Sequence, residues 1–153
     1  MRAGAKPYLV PPGTEVTLAF VDDAAMRELN RTYRRIDKTT DVLSFGDELP
    51  EGLRGREAAA QLSRGPDGVI ALGDIVISGP QAGRQARRRR WPLSSEVAFL
   101  ATHGVLHLLG FDDRTQAGYR EMLALGRAAL AAAVPRRRPA NRRTSRSRKT
   151  LER

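Results

Sequence analysis

The sequence predicts an α+β fold: a small mixed β-sheet packed with helices, the central helix carrying an H-x-x-x-H metal motif. Three observations predict it. Strand-like runs rich in β-branched residues fall in the first half of the chain. Longer segments with helical periodicity fill the second half. The resulting order, β-α-β, β and then three helices, segregates most helices from the strands, as α+β or mixed α/β domains do. With 41% apolar residues in 153, the chain can bury one real core.

Taking the elements in order, Glu15 to Val21 reads EVTLAFV. Val16, Leu18 and Phe20 alternate, as in a half-buried strand. Asp22 or Asp23 then caps a helix through AAMRELNRTYR, where Met26, Leu29, Asn30 and Tyr33 share a face. After a polar turn, DVLSF (Asp41 to Phe45) forms a second short strand. Gly46 to Gly68 is rich in Gly, Pro and charge and reads as an irregular surface insertion. Gly68 to Ser78, GVIALGDIVIS, is the most strand-like segment, and Asp74 within it reads as a structural hydrogen-bonding carboxylate.

Gly79 and Pro80 break that strand, and a basic helix, QAGRQARRRR, comes next. Pro92 sits near the start of another helix, SEVAFLATHGVLHLL, with Ser94 or Ser95 as its cap. Gly110 stops it. Trp91 and Phe99 are expected in the core. The last helix spans roughly Thr115 to Val134, and Pro135 closes the folded domain, residues 1–134.

Most of the net charge of +10 lies from Pro135 onward. Residues 135–153 hold nine Lys or Arg and one acid, leaving 18 basic and 16 acidic residues in 1–134. This basic tail has almost nothing apolar to bury and is expected to be disordered. Such an arm either binds nucleic acid through phosphate contacts or only aids solubility. No apolar run approaches the ~20 residues of a membrane span, and the N-terminus lacks the apolar block of a secretory signal. The absence of cysteine excludes disulfides and thiolate metal sites. A soluble, cytoplasmic protein is the expectation.

Both histidines, His103 and His107, lie four residues apart on one apolar helix. Each helical residue turns by about 100°, so the two imidazoles point the same way and can share one metal ion. By itself the pair reads more readily as two ordinary hydrogen-bonded histidines than as a ligand pair. The longer string, HGVLHLLGFDD, adds a glycine turn at Gly110 that delivers Asp112 and Asp113 beyond the helix end. A third ligand arriving after a Gly turn completes metzincin-type zinc sites, and aspartate is an acceptable zinc ligand. Either aspartate could instead cap the next helix. Three protein ligands would leave a position open for water, the arrangement of a catalytic zinc site.

The string resembles the signature of the YbeY family, H-G-x-L-H-L-x-G-[FY]-D-H. It matches at His103, Gly104, Leu106, His107, Leu108, Gly110, Phe111 and Asp112. LNRTYRRIDKTTDVLSF (Leu29 to Phe45) is similar to that family's N-x-x-Y-R…T-D-V-L-S-F block, LGDIVIS (Leu72 to Ser78) to its L-G-D-I-x-I-S strand, and VDDAAMRELN to its first helix entry. The likeness runs from about Glu15 to Val134. It implies a metal-dependent, single-strand-specific endoribonuclease of rRNA maturation, acting at the 16S rRNA 3′ end and in ribosome quality control. It further implies one Zn²⁺ per chain held by His103, His107 and Asp113, and a catalytic Arg34. Its partners would be single-stranded rRNA and the small ribosomal subunit, with no membrane or DNA partner.

Two departures stand out. The last signature position, histidine in the family, is Asp113, which leaves as an alternative a non-catalytic ribosome- or RNA-binding factor with a degenerate or purely structural metal site. Family members also carry roughly one further strand and helix before the segment matching Glu15, so the chain is expected to be truncated or to start late.

On the chemistry, Gly104 stands where H-E-x-x-H peptidases carry their glutamate base, which argues against peptide hydrolysis. RNA cleavage needs less: an ion that polarises a phosphoryl oxygen or activates water, and a cation for developing charge. Arg87 to Arg90, with Arg84, form a second basic patch that either lines an RNA path or is simply solvated. Asp41 and Ser44 are placed to support the site, Ser44 having no base nearby to make it a nucleophile.

Overall fold

The computed structural model describes residues 10–133. The basic tail, residues 135–153, lies outside the described residues, as does Val134. Eight elements succeed one another: β1 (Thr14–Val21), α1 (Asp23–Arg34), β2 (Val42–Phe45), α2 (Arg56–Ala59), β3 (Ile70–Ser78), α3 (Gly79–Arg89), α4 (Leu93–Leu108) and α5 (Gln116–Ala133). The sheet order is β1-β3-β2, with β1 parallel and β2 antiparallel to the central β3. The expected small mixed sheet is therefore present. Among the described residues, no helix is long and apolar enough to cross a membrane.

The core forms where α4 lies across β2 and β3 and packs in turn against α3 and α5. Leu72, Ile75 and Ile77 of β3 meet Leu100 and Leu106 of α4 and Met122 of α5 in one buried cluster. Gly104 makes the close approach possible: a Cβ there would sit 2.9 Å from the Ile75 side chain. On α1, Met26 and Asn30 are buried, Asn30 donating to the Lys38 carbonyl at 2.8 Å. Asp22 is the cap, its carboxylate accepting from the Ala25 amide. Asp23 instead accepts two guanidinium bonds from Arg84 and one from Ser78, and the Arg84 bond holds its carboxyl below the usual range.

Several expectations are corrected. Val16, Leu18 and Phe20 do alternate, but they are 41%, 41% and 55% exposed. Leu18 shares a sheet face with Ile75, its partner in the parallel register, yet among the described strands β1 lies at the edge, and α4 covers β2 and β3 instead. The insertion after Gly46 is not all surface: α2 buries Ala58 and Ala59, and the Gly55 amide donates to the Leu109 carbonyl at 2.8 Å. A four-residue helix is too short to show a period in sequence. Tyr33 is exposed, edge-on to Phe45, and not part of the buried face that Met26 and Asn30 form.

On α4 the cap is Pro92, whose carbonyl accepts from Ser95 and Glu96, so Ser94 and Ser95 lie inside the first turn. Asp74 is exposed, and its carboxylate takes no hydrogen bond among the described residues, since it sits on the sheet face opposite Ile75. Trp91 is 42% exposed, not core. Of the arginine patch, Arg84 is bound to Asp23, and Arg89 to the fully buried Glu96 at 2.8 and 3.0 Å, which leaves Arg87, Arg88 and Arg90 exposed.

Candidate metal centre

The centre is built from the end of α4 and the turn that leaves it. Gly110 takes φ +84°, a left-handed conformation that suits glycine. The Gly110 amide bonds to the His107 carbonyl and the Phe111 amide to that of Leu106, both at 3.0 Å, which is a Schellman ending. Phe111 is thereby driven into the core against Leu106, and the chain doubles back alongside the last turns of α4. Asp113 arrives beside the two imidazoles.

His103 Nε2 and His107 Nε2 are 3.1 Å apart, and Asp113 Oδ2 lies 3.3 Å from the first and 3.6 Å from the second. For a tetrahedral ion with bonds of about 2.0–2.1 Å, ligand atoms are separated by about 3.3 Å, so this triangle has the size of one tetrahedral face. The tautomer agrees. His107 Nδ1 stands 3.1 Å from the Phe111 carbonyl, which can only accept, so Nδ1 carries the proton and Nε2 presents a lone pair inward. Burial, then repulsion from His107, lowers the His103 pKa, while Asp113 opposes the shift. A neutral imidazole is what a metal requires. These three residues could hold a metal ion.

Asp112, the other candidate, is committed elsewhere. It accepts from the Arg114 amide at 2.8 Å and pairs with the Arg114 guanidinium, and the amide bond above all keeps its pKa low. Thr115 supplies the α5 cap by accepting from Gly118 at 3.0 Å. Neither aspartate caps α5, so Asp113 is left for the histidines.

Around this triangle, Ser44 Oγ donates to the Gly104 carbonyl at 3.2 Å, tying β2 to the metal-bearing helix and removing Ser44 as a nucleophile. Arg34 Nη2 donates to the Ser44 carbonyl at 2.8 Å, and the guanidinium rests over the Phe45 ring at 5.7 Å. Arg34 is thus held on the same residue that links the strand to the helix, and stays exposed. Asp41 accepts from Gln85 at 3.0 Å, and its charge, like that of Asp113, opposes the lowering of the His103 pKa.

Two supporting groups were not foreseen from sequence. The Phe111 carbonyl is backbone and leaves no mark on residue choice. The Phe99 ring stacks on His103 at 6.4 Å, and its i, i+4 spacing to His103 was the available signal.

A family model described as Endoribonuclease YbeY matches residues 2–133. The chain belongs to the YbeY family. The Endoribonuclease YbeY of Moorella thermoacetica is 47% identical over 137 residues, 90% of this chain and 84% of that protein. That of Desulforamulus reducens is 50% identical over 109 residues, 69% of this chain and 63% of that protein. That of Geobacillus thermodenitrificans is 42% identical over 125 residues, covering 81% and 76%. The YbeY resemblance read from the sequence motifs therefore holds across most of the chain, and the metal triangle falls within the matched region.

Proposed function

We propose that this YbeY-family chain is a zinc-dependent endoribonuclease that cuts single-stranded RNA during rRNA maturation at the 16S 3′ end, working on the small ribosomal subunit in the cytoplasm. One observation carries the reading: His103, His107 and Asp113 converge three donor atoms at ligand spacing in a member of an endoribonuclease family. A bound Zn²⁺ would supply Lewis acidity, polarising a phosphoryl oxygen or lowering the pKa of water. The protein's own parts do the rest. The Phe111 carbonyl holds the His107 tautomer, and Ser44 anchors the helix. Arg34, with one nitrogen bound to Ser44, has guanidinium N–H groups left to grip a phosphate.

The glutamate base of H-E-x-x-H peptidases has no room here, because any side chain at Gly104 would drive into Ile75. Water activation for phosphodiester cleavage needs no such residue.

The test is metal-dependent cleavage of single-stranded rRNA fragments by the full chain. Arg34→Ala is expected to lower kcat by about 100-fold or more, as loss of one transition-state donor does, with metal content unchanged. Equal rates for Arg34→Ala and wild type would remove Arg34 from the chemistry.

The family relatives do not favour the alternative, in which the centre is structural and the protein only binds RNA, but Asp113 makes it worth testing. An anionic ligand reduces the positive charge that acidifies bound water. Asp113→His is therefore expected to raise the cleavage rate several-fold with RNA affinity unchanged. If both proteins bind RNA and neither cuts it, the binding-factor reading stands instead.

A further inference from the structure

The only tryptophan of the chain stands at the end of its arginine run. Its backbone is pinned where α3 ends: Arg90 takes a left-handed φ of 55°, and the Trp91 amide donates to the Ala86 carbonyl at 2.9 Å. The ring is propped from inside the protein. The Arg89 guanidinium, clamped by buried Glu96, lies 5.3 Å from the Trp91 ring and 5.2 Å from that of Phe99. Trp91 and Phe99 meet edge to face at 6.1 Å, and Phe99 stacks on His103 at 6.4 Å. Two ring-to-ring steps thus connect Trp91 to a histidine of the triangle.

Beside the ring an open apolar groove of about 530 Å³ runs between the start of α4 and the end of α5, lined by Pro92, Ser94, Ser95, Ala98 and Leu130. Its size lies within the roughly 300–1,000 Å³ of small-ligand clefts. Arg87, Arg88 and Arg90 flank Trp91 in the chain, are exposed, and make no ion pair among the described residues. An exposed, rigidly backed aromatic beside uncommitted arginines is the combination that binds unpaired nucleotides, by stacking the base and neutralising phosphates.

We infer that Trp91, its groove and Arg87, Arg88 and Arg90 form a subsite that stacks an unpaired RNA base two ring contacts away from the metal centre. This rests on the RNA reading above and gives it a source of selectivity, since bases within a duplex are not free to stack on a side chain. Arg89 is a positioning residue here, because its guanidinium is held by Glu96 and serves to orient the ring.

Because Trp91 is the sole tryptophan, its emission reports on the subsite directly. Stopped-flow fluorescence of the full, zinc-loaded chain would track binding of a short single-stranded oligoribonucleotide before cleavage proceeds, with cleavage of the same RNA recorded in parallel. Single-stranded RNA should quench the emission. An oligomer abasic at every position should not. Trp91→Ala, monitored with a labelled RNA, should weaken affinity by about 5- to 150-fold, the range for one stacked base, and Trp91→Phe should keep most of it. Alanine at Arg87, Arg88 or Arg90 should each reduce the slope of log affinity against log salt by roughly 0.7–1.

Should wild type cut RNA without quenching, and Trp91→Ala bind as tightly as wild type, the subsite is refuted while the nuclease stands. Should the zinc-loaded wild type neither bind nor cut RNA, both readings fall. If Trp91→Ala proves unfolded by circular dichroism, the quenching contrast and Trp91→Phe decide.

Discussion

His107→Ala is expected to strip the protein of its metal. His107 Nε2 lies 3.1 Å from His103 Nε2 and 3.6 Å from Asp113 Oδ2, and its outer nitrogen is bound to the Phe111 carbonyl, which fixes the ring. Losing an orienting partner of a metal ligand costs about 10–100-fold in affinity, so losing a ligand itself should cost more than about 100-fold. Elemental analysis should find about one zinc per wild-type chain and almost none in the variant, and RNA cleavage should disappear with it. His107 is half-buried at the rim of the core, so the variant should still fold, which unfolding curves would check. Equal metal in both proteins would place the ion elsewhere.

The pH dependence arises from the same atoms. Metal binding requires both imidazoles neutral, and burial keeps the His103 pKa below its ordinary value. Zinc should stay bound at neutral pH and be released on acidification only as protons begin to compete for the histidines.

Gly110→Ala should be among the most destabilising single-methyl changes in the molecule. An added Cβ at Gly110 would sit 2.3 Å from the Leu53 carbonyl oxygen, a backbone atom that cannot swing away. The residue also holds φ +84°, which alanine adopts only at a cost of about 1 kcal/mol. Adding the overpacking, we expect a loss of about 2–4 kcal/mol in urea or thermal unfolding. Gly52→Ala is the control. It shares a positive φ, +82°, but nothing lies within 4 Å of its Cβ, so only the conformational cost of about 1 kcal/mol should appear. If the two variants lose equal stability, the close approach of the Leu53 loop is not what requires glycine. Gly110→Ala should also weaken metal binding, because the same turn brings Asp113 back to the helix.

Much of the centre was legible because it is local. Residues four apart on a helix face the same way whatever surrounds them, so the spacing of His103 and His107 already placed two ligands side by side. Gly110 announced the end of α4 by the same logic, since the Schellman bonds span only five residues. The choice between Asp112 and Asp113 left no mark in the spacing. Both sit beyond the turn, and family likeness singled out position 113 while the Arg114 contacts account for Asp112. The arginine run shows the same divide. Nothing in RRRRW tells which guanidinium is spoken for, because Glu96 reaches Arg89 only once α3 and α4 are packed.

The sequence by itself determined the α+β class, the strands and long helices, and the pair of histidines on one helix face. Each of these is signalled by side-chain periodicities and end signals that span at most a few residues. Tertiary structure alone decided that the apolar stripe of β1 stays exposed, that α2 puts two alanines into the core, and that Trp91 stands in the open. It also brought Arg34 to Ser44 and Ser44 to Gly104. Burial and ion pairing depend on which distant segment arrives to cover a surface, and no local pattern records that arrival.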